Sequence, residues 1–134
     1  IHLVRRKVAR TALSDAFALA TGQWKLTAPE QRVARRITLE RAALLAQVGM
    51  LRRQVAMARG WLHGLDVVEM RYEELLDADS PSWRSFAAAC GAPVRRIETR
   101  YVKAIPDPAA VLANAGDVAD LLDRDLDDPA WDRA

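Results

Sequence analysis

The sequence lacks several features that would place a protein outside the cell or in a membrane. Cys90 is the single cysteine, so no disulfide can form within the chain, and we expect a reducing, cytoplasmic compartment. The segment FAAACG puts Cys90 on an apolar helical face, which predicts a buried thiol. No apolar run approaches the roughly 20 residues needed to span a bilayer. We therefore expect neither a transmembrane segment nor a signal peptide.

The chain also lacks the residue groupings that mark several enzyme classes. It has no Cys/His cluster for zinc, no EF-hand loop, no catalytic triad and no G-x-x-x-x-G-K-[S/T] phosphate loop. We interpret His2 as a strand residue and His63 as a residue at a helix end, and neither as a catalytic base. Glu73 and Glu74 follow a predicted strand, where a carboxylate is more often a structural acceptor. We therefore expect no metal and assign no catalytic residue.

What is present fits an ordinary folded domain with an uneven charge. Of the 134 residues, 51% are hydrophobic and 28% are charged, so we expect a single domain over residues 1–134 with a modest core. The net charge is +2, but residues 1–59 have a balance of +9 and residues 60–134 a balance of −7. The basic first half is suited to attracting an anion.

Hydrophobic periodicity gives the order strand, helices, strand, helix, helix. The predicted strands cover residues 1–4 and about 67–72, and the predicted helices about 8–20, 38–62, 80–91 and 111–122. A further helical start is predicted at the T-x-x-E spacing of residues 27–30. Pro106 and Pro108 predict a helix-free stretch, and the acidic tail, about 123–134, is expected to fray.

The longest predicted helix, residues 38–62, carries the clearest apolar stripe. Its members are spaced alternately by four and three residues: Leu44, Val48, Leu51, Val55, Ala58 and Leu62. The stripe favours packing on a sheet, and it leaves open a seam between two copies, so a homodimer is an alternative.

Two strands joined by a long helical crossover are normally parallel, and two strands alone do not form a stable sheet. We therefore predict an α/β fold. In detail, we expect part of a P-loop-NTPase-like α/β sandwich with parallel strands, whose N-terminal strands precede this chain.

Two arginines, Arg5 and Arg6, follow the first predicted strand, at the end where ligands bind in open α/β sheets. The next helix start offers unpaired N–H groups and a positive dipole end, and guanidinium groups suit phosphate. Ser14, eight residues after Arg6, adds a neutral donor. The pattern predicts a site for a phosphate monoester. The other interpretation is a solvent-facing basic helix start with Ser14 as an incidental polar residue.

The run RKVARTALS, from Arg6 to Ser14, resembles a segment of sulfotransferases that use 3'-phosphoadenosine 5'-phosphosulfate (PAPS). In that family an Arg at a strand end and a Ser on the next helix bind the cofactor's 3'-phosphate. The chain departs from the family pattern at Lys7 and Val8, which leaves open whether Arg5 or Arg6 binds phosphate.

Further segments resemble the same family in the same order. The element VVEMRYEELL is similar to the family's strand followed by YEDL, which implies that Tyr72 lies near the adenine. The stretch RYVKAIPDP and its following helix resemble the family's C-terminal pattern, which implies that Lys103 and Arg100 close over the cofactor and that Asn114 starts a helix. TGQW, at residues 21–24, resembles bacterial carbohydrate sulfotransferases of the trehalose type.

The resemblance implies transfer of a sulfuryl group from PAPS to a hydroxyl of a carbohydrate, small-molecule or lipid acceptor, without a metal. This chain would carry the 3'-phosphate half of the cofactor site, with the 5'-phosphosulfate loop and the base outside it. The residues that the resemblance assigns to the cofactor are Arg5, Arg6, Ser14, Tyr72 and Lys103. Adenosine 3',5'-bisphosphate would be the product left behind.

The alternatives belong to other classes. The basic first half could serve a nucleic-acid-binding module, but its basic residues are dispersed in the sequence and Phe17 falls on an apolar face, so we expect no nucleic-acid partner. A helical interaction module without catalysis is another alternative, using the stripe between Leu44 and Leu62. A P-loop kinase shares the fold class but needs metal-binding carboxylates near the strand ends.

Overall fold

The computed structural model describes residues 1–75, 77, 79–91, 93 and 101–133. Over these residues the chain is mixed α/β and mostly helical, with a two-stranded parallel sheet. It divides into a strand unit, Ile1–Arg6 with Arg53–Glu98, and a helical unit, Lys7–Arg52 with Thr99–Ala134. None of the helices described is both long enough and apolar enough to cross a bilayer.

The sheet of the strand unit confirms the predicted parallel pairing. Strand β1 (His2–Val4) pairs with β2 (Glu69–Arg71), with His2 opposite Glu69 and Val4 opposite Arg71. Strand β2 is shorter than predicted, because a 3-10 turn, Tyr72–Glu74, begins immediately after it. Both strands therefore end in short, polar segments at the same edge of the sheet.

The helix after β2 begins and ends where its capping residues predict, but its thiol is not buried. This helix covers Pro81–Cys90; the Ser80 hydroxyl accepts from Trp83 N at 3.3 Å, and Gly91 ends it with a φ of +60°. Cys90 is exposed, so the predicted burial is wrong. A ten-residue helix is about 15 Å long, and a three-residue strand is too short to cover its last turn.

In the helical unit, the first helix, α1 (Val8–Thr21), forms as predicted. Gly22, with a φ of +75°, ends it and donates its N–H to Ala18 O at 2.7 Å. The buried residues of α1 share one face and pack against two short helices near the C terminus: Val8, Ala9, Ala12, Leu13, Phe17 and Ala18. This face is the centre of the unit's core.

The connection after α1 contains a shorter helical element than the capping-box spacing predicts. It is a 3-10 turn, Pro29–Gln31, and its cap is shifted by one residue from the predicted Glu30. The Gln31 side-chain oxygen accepts from the backbone N–H groups of Thr27 and Ala28, at 2.9 and 3.2 Å. An amide thus replaces the expected carboxylate.

The longest helix, α2 (Arg41–Leu62), carries the predicted apolar stripe, but only the first part of the stripe is buried. Leu44 and Val48 are 1% exposed. The other stripe residues are half-buried: Leu51, Val55, Ala58 and Leu62. Helix α3 is the Pro81–Cys90 helix described above.

The C-terminal region differs most from its prediction. A single helix over 111–122 is replaced by α4 (Pro108–Val111) and α5 (Ala115–Leu122), because the backbone on either side of Leu112 bonds to Ile37. Pro108 starts a helix at its first position, where a missing N–H is harmless, so the predicted helix-free stretch ends sooner.

The acidic tail does not fray as predicted. It ends in a 3-10 helix, Pro129–Arg133, and Leu126 and Trp131 are buried. The Trp131 indole N–H donates to Asp125 O at 2.6 Å, and the Arg124 guanidinium lies 4.8 Å from its ring centroid. Burial of the Trp131 indole, with its N–H bonded, stabilises the tail more than the repulsion between its acidic residues destabilises it.

Candidate functional site

The candidate site begins at the edge of the sheet where both strands end. Arg5 follows β1 directly and Tyr72 follows β2 directly, 67 residues later in the chain. The parallel pairing brings them together: the Arg5 guanidinium lies 4.5 Å from the centroid of the Tyr72 ring. A cation over an aromatic face is attracted by the ring quadrupole, so the contact orients both side chains.

Glu73 links the same edge to the start of the chain. Its carboxylate accepts from the Arg6 backbone N–H at 3.1 Å and lies 3.9 Å from Arg5 Nε, with both side chains one-third exposed. A partly exposed ion pair of this length contributes little stability. The backbone bond matters more, because it fixes the direction in which the chain leaves β1.

One donor at this edge lacks an acceptor within the described part of the chain. Arg5 Nε is buried, and among the described residues it has no hydrogen-bond partner, since Glu73 is too distant. A buried N–H without an acceptor is destabilising by roughly 1–3 kcal/mol, so an anion placed here would recover that free energy. The side chain of Arg6, the next residue in the sequence, is exposed. These donors fit the phosphate that the resemblance implies.

Glu74, the second carboxylate of the YEEL segment, has a separate structural role. It accepts from Ser82 N at 3.4 Å at the start of α3, and from Arg71 at 3.2 Å. A hydrogen bond from the Ser82 hydroxyl, and then the Arg71 guanidinium, lower the pKa of Glu74 below its ordinary value. The Trp83 indole N–H donates to Leu75 O at 2.8 Å. Together these bonds hold the turn that carries Tyr72.

His2 lies in a polar cluster on the sheet rather than in a catalytic arrangement. Its Nδ1 is 3.2 Å from Glu69 Oε2, and Arg59 donates two hydrogen bonds to the same carboxylate, at 2.9 and 2.8 Å. Arg59 is the largest cause of the lowered pKa of Glu69. The register, which sets His2 opposite Glu69, explains the contact. The sequence does not reveal this cluster, because Arg59 is distant from both strands.

Ser14 lies on α1, in the helical unit, and is partly buried. Its hydroxyl donates to the Arg10 backbone carbonyl, one turn earlier, at 2.8 Å. To bond a phosphate, this hydroxyl must leave the carbonyl, which requires only rotation about χ1. Arg10 on the same face pairs with Asp123, and the Lys7 ammonium donates to the Asp123 carbonyl. The Ser14 hydroxyl is therefore bonded within its own unit.

The other residues that the resemblance assigns lie near the C terminus. The Lys103 side chain is exposed, and its backbone carbonyl accepts from Arg32 Nε at 3.1 Å. Asn114 precedes α5 as predicted, and its amide both accepts from Leu39 N and donates to Leu39 O, at 3.0 and 3.1 Å. Arg100 lies outside the described residues. The structure therefore assigns Arg5, Arg6 and Tyr72 to the strand unit, and Ser14 and Lys103 to the helical unit.

Comparisons with known proteins add nothing to these placements. The chain matches no family model, no curated protein and no solved structure.

Across residues 1–75, 77, 79–91, 93 and 101–133, no group of three or more His, Cys, Asp and Glu side chains is arranged to hold a metal ion.

Proposed function

We propose that this chain is part of a PAPS-dependent sulfotransferase and binds the 3'-phosphate of the cofactor. The observation that carries the proposal is the contact between Arg5 and Tyr72 at the carboxyl ends of two parallel strands. The Arg5 guanidinium lies 4.5 Å from the centroid of the Tyr72 ring. Ligands of open α/β sheets bind at such ends, and we infer that these two strands belong to a P-loop-like sandwich.

When bound, PAPS supplies the sulfuryl group that passes to an acceptor hydroxyl, leaving adenosine 3',5'-bisphosphate. The arginines of this chain hold the phosphate through charge-assisted hydrogen bonds, and Tyr72 offers an aromatic face beside them. The acceptor hydroxyl must lose its proton to a base, and we assign no residue of this chain to that role. The acceptor class that we propose is a carbohydrate, small molecule or lipid bearing a hydroxyl.

The two arginines have different surroundings. The Arg5 guanidinium lies over Tyr72 and close to Glu73, so an incoming phosphate must compete with a carboxylate already present. The Arg6 side chain is exposed, and its backbone N–H donates to Glu73. We propose that both arginines donate to the phosphate and that Arg5 also positions Tyr72.

Titration calorimetry with adenosine 3',5'-bisphosphate tests the proposal on the protein expressed from its complete reading frame. Arg6→Ala and Ser14→Ala should each weaken binding about tenfold, since a hydrogen bond to a charged group contributes roughly 1.5–3 kcal/mol. Arg53→Ala and Ser85→Ala are matched controls, because both positions are exposed and lie outside the proposed site.

Circular dichroism should show that Ser14→Ala folds normally, because alanine has a higher helix propensity than serine and only one local bond is lost. The proposal is wrong if Arg6→Ala and Ser14→Ala both bind adenosine 3',5'-bisphosphate as tightly as the controls do.

A further inference from the structure

A concentration of positive charge lies in the helical unit, and it includes Lys103, which the resemblance assigns to the cofactor. Residues 23–37, QWKLTAPEQRVARRI, contain four cations and one carboxylate, Glu30. The backbone of this segment bonds to the stretch that carries Lys103, through Val102 N to Leu26 O at 3.0 Å. We define the basic surface as Trp24, Lys25, Arg32, Arg35, Arg36 and Lys103.

The arginines of the basic surface are held by backbone carbonyls. Arg32 Nε donates to Lys103 O at 3.1 Å, Arg35 Nη1 to Ala20 O at 2.6 Å, and Arg36 Nε to Ala110 O at 3.4 Å. Four other arginines of the helical unit form ion pairs with carboxylates, and the last three of them also donate to a backbone carbonyl: Arg10, Arg41, Arg52 and Arg124. A carbonyl orients a guanidinium without cancelling its charge.

The positive charge of this surface is therefore open to a ligand. In the part of the chain that the structure describes, no carboxylate forms an ion pair with its five cations, and all five are exposed. Each arginine keeps further N–H donors beyond the one bonded to a carbonyl. Because one nitrogen is already held, less side-chain entropy is lost when an anion binds.

The segment that presents these cations is itself held by side-chain amides. The Gln23 amide accepts from Val33 N at 3.2 Å and donates to Gln31 O, and the Gln31 amide bonds to Thr27 and Ala28. The arginines thus project from a fixed loop. The bonds from Val102 N to Leu26 O and from Arg32 Nε to Lys103 O bring this segment and Lys103 together, although they are far apart in the sequence.

The surface also offers an aromatic ring. Trp24 is 63% exposed, whereas the exposed Tyr101 ring has the Lys25 ammonium 5.9 Å from its centroid. Single-stranded nucleic acids bind along successive open rings, one for each stacked base. In the described part of the basic surface, Trp24 is the ring without a cation on its face. A single ring beside several guanidiniums suits one sugar flanked by acidic groups.

We propose that the basic surface binds an acidic oligosaccharide, carrying carboxylate or sulfate groups, as the acceptor or part of it. This inference rests on the proposed function, which requires a hydroxyl-bearing acceptor. Arg32, Arg35 and Arg36 take the acidic groups, and Trp24 takes the apolar face of a sugar ring. Lys103 adds charge at the margin.

A heparin-derived hexasaccharide, fluorescently labelled, is the probe, and anisotropy measures its binding without cofactor. The triple variant Arg32→Gln, Arg35→Gln, Arg36→Gln should weaken binding about 100-fold, since several charge-assisted hydrogen bonds are lost. The matched control is the triple variant Arg53→Gln, Arg84→Gln, Arg133→Gln. It changes the net charge equally at exposed positions elsewhere, and Arg84 also donates to a carbonyl. It should weaken binding less than about threefold.

Trp24→Ala gives a second readout if the triple variant loses its circular dichroism signal. It should weaken hexasaccharide binding about fivefold. Neutral maltohexaose should bind at least about tenfold more weakly than the acidic hexasaccharide.

Three results would overturn the inference: equal weakening by both triple variants, maltohexaose binding as tight as that of the acidic probe, or a 12-nucleotide oligodeoxythymidine that binds more tightly than the hexasaccharide. The last would point to a nucleic acid. If the unmodified protein binds adenosine 3',5'-bisphosphate but not the hexasaccharide, only this inference is rejected. The opposite pattern rejects the proposed function and leaves a carbohydrate-binding surface.

Discussion

The two units are stabilised in different ways. The largest side chains that are less than 2% exposed all belong to the helical unit: Phe17, Leu13, Leu44, Leu112, Leu121, Val48 and Val118. The buried hydrophobic residues described in the strand unit are fewer and slightly more exposed: Val4, Met70, Trp83 and Ala87. The helical unit has a packed core, and the strand unit depends more on polar contacts.

Those polar contacts recur throughout the strand unit. Arg59 binds Glu69, Glu73 holds the Arg6 backbone, and Glu74 binds the start of α3. Exposed polar contacts contribute less stability than apolar burial does, so we expect the strand unit to open more readily than the helical unit. The positions of Arg5 and Tyr72 therefore depend on a small number of these polar contacts.

The largest expected effect comes from the core of the helical unit. Phe17→Ala should lower the free energy of unfolding by about 3–5 kcal/mol, because Phe17 is 1% exposed and its removal leaves a cavity. Leu19→Ala, two residues away on the same helix and 75% exposed, is the matched control and should change it by less than about 0.5 kcal/mol. Urea unfolding measures both, and equal losses would show that α1 does not face the core as described.

A smaller effect is expected at the first turn of α3, in the strand unit. Ser80→Ala should lower the free energy of unfolding by about 1 kcal/mol, because the hydroxyl caps Trp83 N and is buried. Ser85→Ala, exposed in the same helix, serves as the control. Thermal unfolding of the two variants should differ by several degrees. Identical midpoints would mean that the cap adds no stability.

The smallest expected effect is a dependence of stability on pH. The pKa of Glu69 is lowered from its ordinary value of 4.5, chiefly by the hydrogen bonds from Arg59 and also by His2. A carboxyl whose pKa is lower when folded stabilises the protein above its unfolded pKa, and this stabilisation is lost as the pH falls through the folded pKa. The group is 40% exposed, so solvent screens the effect.

Unfolding measured between pH 6 and 3 checks this dependence. Glu69→Gln and Arg59→Gln should both lose less stability on acidification than the unmodified chain does, because each removes the coupled pair. If both variants give acid profiles that run parallel to that of the unmodified chain, the cluster makes no contribution.

Local patterns predicted the elements well where capping residues and periodicity agree. The bounds of α1 and α3 follow from Gly22, Ser80 and Gly91, and the parallel pairing follows from the long crossover. The failures involve contacts distant in sequence. Ile37 interrupts the predicted last helix, and Trp131 anchors the tail. No local pattern contains such pairings, because their free energy comes from residues that meet only after folding.

The candidate site shows the same division. The position of Arg5, Arg6 and Tyr72 at strand ends could be predicted, since a strand's carboxyl end follows from its bounds. The bond from Arg6 N to Glu73 and the stacking of Arg5 on Tyr72 could not, because both depend on the register of β1 against β2. The basic surface was missed because its cations are separated by up to 78 residues, from Lys25 to Lys103.

The most direct test of the central claim compares two nucleotides that differ by one phosphate. Calorimetry with adenosine 3',5'-bisphosphate and with adenosine 5'-monophosphate isolates the 3'-phosphate. We predict that the bisphosphate binds at least about tenfold more tightly, and that Arg6→Ala removes most of this difference. Equal affinity for the two nucleotides in the unmodified protein would contradict the account.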